Sequence, residues 1–190
     1  MSRTNLRSIP PHAQKVFTGV LFDVYQWQQE LFDGTQATFE KISRPDTAGI
    51  LALTPENKII VSRQEQPSLK PFWSLLGGIV DAGEEPIQAA ERELLEEAGM
   101  HGTLHEWFQT TLSQKIDWTI HVYIAYDCVK AAEQSLDAGE KIELHEYSFE
   151  EFIELTQQPD FRDTEVSTQV LKALASPEKM IELRRKLLRE

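Results

Sequence analysis

The chain has 190 residues, with 19 lysines and arginines against 31 aspartates and glutamates, and a net charge of −12. That length suits one domain with a core of its own. The acidity argues against general binding to nucleic acid or to an anionic membrane, although a bound cation would still allow a small anionic substrate.

The first residues, MSRTNLRSIPPHAQ, lack the apolar core of a signal peptide, and no apolar run reaches membrane-spanning length. Residues 15–28 are β-rich and aromatic, and the turn pair Asp33 and Gly34 precedes a further strand. Together they predict an N-terminal hairpin or small sheet that Pro45 ends. Residues 48–54 and 58–63 read as short strands around a turn at Pro55, Glu56 and Asn57. Their near-continuous apolar character suits central strands buried on both faces.

The stretch 78–100, GIVDAGEEPIQAAERELLEEAGM, combines a glycine-rich turn with a short helix. Pro86 fits the first helical turn and Gly99 a left-handed cap. Ile87, Ala90, Leu94, Leu95 and Ala98 recur at helical spacing as one apolar stripe, with Glu91 interrupting it. Glu93, Glu96 and Glu97 fall on the other side, within an arc of about 100°. Such close carboxylates repel one another unless they face water or share a cation. An ordinary solvated face and a site for a hard cation such as magnesium are both open on these residues. Gly77 and Gly78 let backbone approach a ligand closely, the turn delivers Glu84 to the helix start, and Arg92 stands beside the cluster as a counter-charge.

Further strands are expected over 104–112, over 118–126 by strict alternation, and over 141–147, with a loop at 131–140. The single cysteine, Cys128, follows a strand-like run, so a buried, inert thiol in a reducing cytoplasm is expected. Ser148 and Glu151 form a capping box for a helix through about Gln157, ended by Pro159. Asp163 or Thr164 starts the next helix, with Val166, Val170, Leu171 and Leu174 inward. Ser176 and Pro177 start the last, whose basic end (Arg184, Arg185, Lys186, Arg189) suits the negative helix terminus and offers phosphate binding as the sharper alternative.

Gly78, Glu84, Arg92, Glu93, Leu94, Glu96, Glu97, Gly99 and Met100 together resemble the signature of the Nudix hydrolases, with no departure. The resemblance implies an α/β fold: an α/β/α sandwich with a mixed sheet and the signature helix on one face, here with an added N-terminal β-hairpin or small sheet. The expected organisation is a single domain over 1–190, divided into an N-terminal β segment (15–44), a core (45–160) and C-terminal helices (161–190). FTGVLFDVYQW and the spacing down to IIVSRQEQP resemble the branch that cleaves ADP-ribose and other nucleoside diphosphate sugars. In that branch the N-terminal segment commonly supports a homodimer and helps hold the nucleoside.

The resemblance further implies a Mg2+ cofactor, with Mn2+ as the alternative. Glu93 and Glu97 would be direct ligands, Glu96 a third, and the carbonyl of Gly77 another, while Glu84 and Arg92 order the loop and the carboxylates. LDAGEKIEL offers Glu140, with Asp137 and Glu143 nearby, as general base, additional ligand or plain solvated loop residue. Three departures bear on the substrate: Ser74 and Gln66 stand where the branch often has glutamate and arginine (Arg63 lies nearby), and TTLSQKIDW lacks a common proline. Tyr25, Trp27 or Trp118 would stack the nucleoside, though aromatics in such runs are ordinarily core. His121 alternates with apolar residues and reads as structural.

The functional expectation is Mg-dependent hydrolysis of the pyrophosphate bond of a nucleoside diphosphate linked to another group, such as the sugar of ADP-ribose. The partner is then a small-molecule nucleotide, with no nucleic acid and no membrane, in a cytoplasmic protein. The alternatives are a clean-up hydrolase for modified nucleoside triphosphates or dinucleoside polyphosphates, and a non-catalytic nucleotide-sensing module on the same scaffold.

Overall fold

A computed structural model describes residues 9–189. Residues 1–8, which hold most of the segment read as lacking a leader core, lie outside the described residues. Three antiparallel strands open the fold: β1 (Gln14–Thr18), β2 (Asp23–Glu30) and β3 (Gln36–Ser43). The β-rich run 15–28 is therefore two strands. It is broken where the Gly19 N–H donates to the Phe22 carbonyl at 2.8 Å. The turn at Asp33 and Gly34 forms as expected, with the Thr35 N–H donating to Asp33 Oδ1 at 3.0 Å and Gly34 at φ +82°.

The chain then runs through β4 (Thr47–Leu53), β5 (Ile59–Glu65), β6 (Phe72–Ser74), β7 (Leu76–Ile79), helix α1 (Pro86–Ala98), β8 (Met100–Thr110), β9 (Ile116–Asp117), β10 (Ile120–Lys130) and β11 (Lys141–Tyr147). Helices α2 (Phe149–Leu155), α3 (Thr164–Leu174) and α4 (Pro177–Leu188) close it. The short β9 joins the N-terminal sheet in parallel with β3. The larger sheet has the order β11-β5-β4-β10-β8, with β6 on β5 and β7 on β4. It is mixed, because β4 and β10 pair in parallel and the other ladders are antiparallel.

Alternation sorts the central strands between two cores. Ile50, Ala52, Ile60, Tyr123 and Ala125 pack under Ala89, Ala90 and Leu94 of α1. Leu51, Leu53, Val61, Val122 and Ile124 pack on the opposite face with Phe152 of α2, Val166 and Val170 of α3, and Leu187 of α4. The result is the α/β/α sandwich, with its mixed sheet buried on both faces.

Several expected boundaries shift. The strand placed at 104–112 begins at Met100, directly after the Gly99 cap, and the strand placed at 118–126 runs from Ile120 to Lys130. On α3 the inward residues are Val166, Val170 and Ala173, whereas Leu171 and Leu174 are exposed. Positions 166, 170 and 173 follow the i, i+4, i+7 rule, and 171 and 174 turn away from it. Cys128 is buried as expected, and burial pushes its thiol up to about 11. Among the described residues no helix is long and apolar enough to cross a membrane.

Candidate active site

The site starts with two adjacent glycines, of which Gly77 is required by the backbone packing. Gly77 in β7 has φ +143°, and a Cβ there would overlap the carbonyl oxygen of Ala48 in β4. A Cβ on Gly78 would overlap the Glu93 carboxylate. The glycines thus clear space for acidic side chains from α1 to reach the sheet. The helix itself begins at Pro86 behind a capping box of Glu85 and Gln88, and it ends at Gly99 in the left-handed region (φ 64°).

Two of the three carboxylates, Glu93 and Glu97, do not lie on a solvated far face of α1. Glu97 is 4% exposed, with its Oε2 accepting the Gly77 N–H at 2.7 Å. Glu93 is also largely enclosed, and Glu96 faces the solvent side. Glu93 and Glu97 lie one turn apart, over the lane that the glycines of β7 leave open. On the nominal apolar stripe, Ile87 is exposed instead.

Arg92 ties this face together. Its Nε and Nη2 reach the two oxygens of Glu84 at 3.1 Å each, and Nη1 reaches Glu93 at 2.7 Å and Glu96 at 3.1 Å. Nη2 also donates to the Ile79 carbonyl at 2.9 Å. Glu84 in turn accepts the Asp81 N–H at 3.1 Å, closing the loop before the helix. Arg92 holds the Glu84 carboxyl below its usual range, and this acidic company holds the Arg92 guanidinium protonated.

Across the cleft lies the loop that carries Glu140. The Ser135 N–H donates to the Glu96 carbonyl at 2.8 Å, and the Gln134 amide donates to the Glu97 carbonyl at 2.6 Å. The loop is therefore moored to the C-terminal turn of α1. Gly77, Gly78, Glu93, Glu96, Glu97 and Glu140 line one cavity of about 470 Å³. Burial pushes the Glu97 carboxyl up to about 8. The Gly77 N–H opposes that rise, and Glu93, Glu140 and Asp163 add to it. Burial likewise raises Glu93, against the pull of Arg92, with Glu96 and Glu140 adding repulsion.

Among the described residues no three acidic, histidine or cysteine side chains converge into a finished metal cage. The donor set nevertheless suits a hard divalent cation. Its donors are oxygens, two are desolvated carboxylates of like charge, and among the described residues that line the cavity Arg92 is the one cation.

Other candidates stand elsewhere. Tyr25 lies against Lys15, 5.5 Å from Nζ to ring centroid, and Trp27 packs on Phe39 at 6.1 Å, both in the N-terminal sheet. Arg63 pairs with Asp160 at 2.7 Å and lies over Trp73 at 5.0 Å. None of the three lines the glutamate cavity. His121 sits 3.5 Å from Asp46 in a partly buried pair. Within the basic tail, Arg184 pairs with Glu150, Arg189 with Asp127, and Lys186 donates to the Trp107 carbonyl.

Two features were not legible in the sequence. On the other side of Gly77 and Gly78 a cavity of about 230 Å³ is lined by Ser74, Leu112, Trp118, Arg162, Asp163 and Glu165. Burial pushes Asp163 up to about 7, with Glu165 adding repulsion. Beside it, the Arg44 guanidinium lies 4.5 Å from the Trp118 ring and 5.9 Å from the Phe22 ring. Arg44 also lines a cavity of about 540 Å³ with Val80 and Ala82 of the signature loop. Its only sequence signal is a lone cation before Pro45 at a strand end.

The NUDIX domain model matches residues 43–170, and the chain belongs to that family. With the family comes the enzyme class that the motif implied, a hydrolase of pyrophosphate bonds, in a family that generally uses divalent metal ions. The chain is 29% identical over 159 residues to the ADP-ribose pyrophosphatase of Bacillus subtilis (strain 168), covering 81% of this chain and 85% of that protein. It is 27% identical over 155 residues to the methanol dehydrogenase activator of Bacillus methanolicus, covering 80% and 84%. A solved structure titled "Crystal structure of ADP compounds hydrolase" superposes with a TM-score of 0.73 over 93% of each chain at 19% identity, which is a likeness of fold.

Proposed function

We propose that this chain hydrolyses the pyrophosphate bond of a nucleoside diphosphate linked to a second group, a sugar as in ADP-ribose. The products are a nucleoside monophosphate and a phosphorylated second fragment. The observation that carries the reading is the enclosed pair Glu93 and Glu97, set against the Gly77 backbone and facing Glu140 across one cavity. The extended similarity to an ADP-ribose pyrophosphatase, over most of both chains, supports the sugar-linked substrate.

Glu93 and Glu97 would hold a divalent cation, Mg2+ or alternatively Mn2+, with Glu96 and the Gly77 carbonyl as further donors. Such an ion, when bound, neutralises the diphosphate oxygens and lowers the pKa of water. The residues do the rest. Arg92 fixes the rotamers of Glu84, Glu93 and Glu96 through four contacts and is itself anchored by a fifth to the Ile79 carbonyl. Glu140, on the opposite wall, accepts the proton of the attacking water. Arg44, held over the Trp118 ring, offers a cation to the rest of the substrate in the cavity beside the signature loop.

The homodimer belongs to the same proposal. Val16, Phe17, Val20, Phe22 and Phe32 are exposed on the N-terminal sheet and its turns, an apolar surface that a second copy would cover. Tyr25 and Trp27 sit on that sheet and would bind substrate only in a site completed by the partner, whereas Arg63 is on β5 of the larger sheet, paired with Asp160. The buried Cys128 thiol suits a reducing, cytoplasmic setting.

A panel of ADP-ribose, other nucleoside diphosphate sugars, NADH, dinucleoside polyphosphates and nucleoside triphosphates, assayed with Mg2+, tests the reading. Turnover confined to sugar-linked diphosphates is the expected result. Turnover confined to triphosphates or polyphosphates would replace it with the clean-up activity, and metal binding without turnover would replace it with a sensing module.

A further inference from the structure

Between β6 and β7 the chain changes neighbours. Ser74 pairs with Ser62 of β5, whereas Leu76 pairs with Ile50 of β4. Leu75 lies at the crossing and belongs to neither strand. Its N–H is taken by a residue far along the chain: Asp163 Oδ2 accepts it at 2.7 Å, and Asp163 Oδ1 lies 3.5 Å from Ser74 Oγ.

The position of Asp163 makes this contact telling. It is the N-cap residue of α3, where an aspartate ordinarily accepts an N–H of its own helix, yet its side chain makes no such bond. The carboxylate is turned back toward the sheet. The preceding residues run alongside β6, with the Trp73 N–H donating to the Asp160 carbonyl and the Arg162 N–H donating to the Trp73 carbonyl, each at 2.9 Å. From the opposite side the fully buried Ser62 donates through Oγ to the Ser74 carbonyl at 2.7 Å, with the Leu75 carbonyl at 3.3 Å. The crossing is thus clamped by one side chain on each flank.

Two residues beyond it, Gly77 presents its N–H to Glu97. Gly77 has no room to move toward β4, because even a Cβ would overlap Ala48 there. The β7 ladder begins directly after the crossing, with Leu76 opposite Ile50 and Gly77 opposite Gly49. We propose that Asp163 is a positioning residue for the hydrolytic site: by capturing the Leu75 N–H it fixes the β6–β7 crossing and so holds Gly77 against Glu97. The inference rests on the reading above that Gly77 and Glu97 belong to the metal site.

The test uses the full chain and three variants. Asp163→Asn keeps an acceptor oxygen, Asp163→Ala removes it, and Ser62→Ala loosens the other flank. Mn2+ affinity is read by electron paramagnetic resonance of the free ion, and kcat and KM are measured at saturating Mg2+. Asp163→Ala is expected to weaken Mn2+ binding and lower kcat by about ten- to a hundred-fold, with KM little changed. Asp163→Asn should stay near the wild type, and Ser62→Ala should move in the same direction as Asp163→Ala. Wild-type Mn2+ affinity and kcat in a folded Asp163→Ala would overturn the proposal, as would an Asp163→Asn variant as impaired as the alanine. If Asp163→Ala fails to fold, Ser62→Ala decides: wild-type affinity and kcat there overturn it. A wild type that neither binds Mn2+ nor cleaves any diphosphate would bring down the reading of the site itself, a result distinct from a variant-specific failure.

Discussion

Glu97 carries two opposed demands. Its charge is costly where it sits, because burial pushes its carboxyl from the ordinary 4.5 up to about 8. In that window the folded metal-free protein holds a proton that the unfolded chain releases. The contribution of Glu97 to stability is therefore present in full below the unfolded value and lost as pH rises through about 8. A divalent cation takes the deprotonated form, so the gain in melting temperature from Mg2+ should be larger at high pH than at low pH. Thermal unfolding with and without Mg2+ across that range checks this, and a gain independent of pH would remove Glu97 from the metal site. Glu97→Gln should make the metal-free protein more stable at alkaline pH, since it removes the buried charge. The five signature-loop and helix residues Gly77, Gly78, Arg92, Glu93 and Glu97 were legible because local spacing on one turn and one helix brings them together. Arg44 and Asp163 were not, because their meaning depends on pairings across the fold: Asp163 acts on Leu75, and Arg44 lies between Phe22 and Trp118.

At the scale of elements, β7 and α1 act as one unit. Gly78→Ala would push the Glu93 carboxylate aside, so hydrolysis should fall, with little loss of stability because the displaced atoms are the end of a flexible side chain at a cavity edge. Leu94→Ala, beneath the same helix, should cost about 2–5 kcal/mol and lower activity only in step with the folded fraction. Chemical denaturation set against kcat separates the two, and equal effects on kcat per folded molecule would contradict the distinction. The capping signals read α1 and α2 closely, because cap chemistry is local. The face of α3 was misassigned at Leu171 and Leu174. Val166, Val170, Leu171, Ala173 and Leu174 spread over a wide apolar arc of a short helix, so the sequence alone leaves the buried stripe undetermined until α4 is in place. Helical spacing alone places the glutamates of α1 opposite the apolar stripe. In the fold two of them point inward, because the glycines of β7 remove the side chains that would have met them.

For the whole molecule, the sandwich follows from strands that are apolar on both sides and helices that are apolar on one. The N-terminal sheet stands outside that logic, with its aromatic and aliphatic side chains left uncovered on the single chain. If a second copy covers it, Phe17→Glu together with Phe32→Glu should shift the protein from dimer to monomer in sedimentation. KM should then rise more than kcat falls, because Tyr25 and Trp27 would lose their place beside a shared substrate pocket. A wild type that sediments as a monomer would contradict this arrangement while leaving the glutamate site untouched.

The central claim is that Glu93, Glu97 and their neighbours make a metal-dependent site for diphosphate hydrolysis. Its most direct measurement is product release from the best substrate of the panel, by wild type and by Glu97→Gln, with Mg2+ and with chelator. The account predicts nucleoside monophosphate from the wild type with Mg2+, none with chelator, and a loss of at least about a hundred-fold in the variant. Undiminished hydrolysis by a folded Glu97→Gln would contradict it.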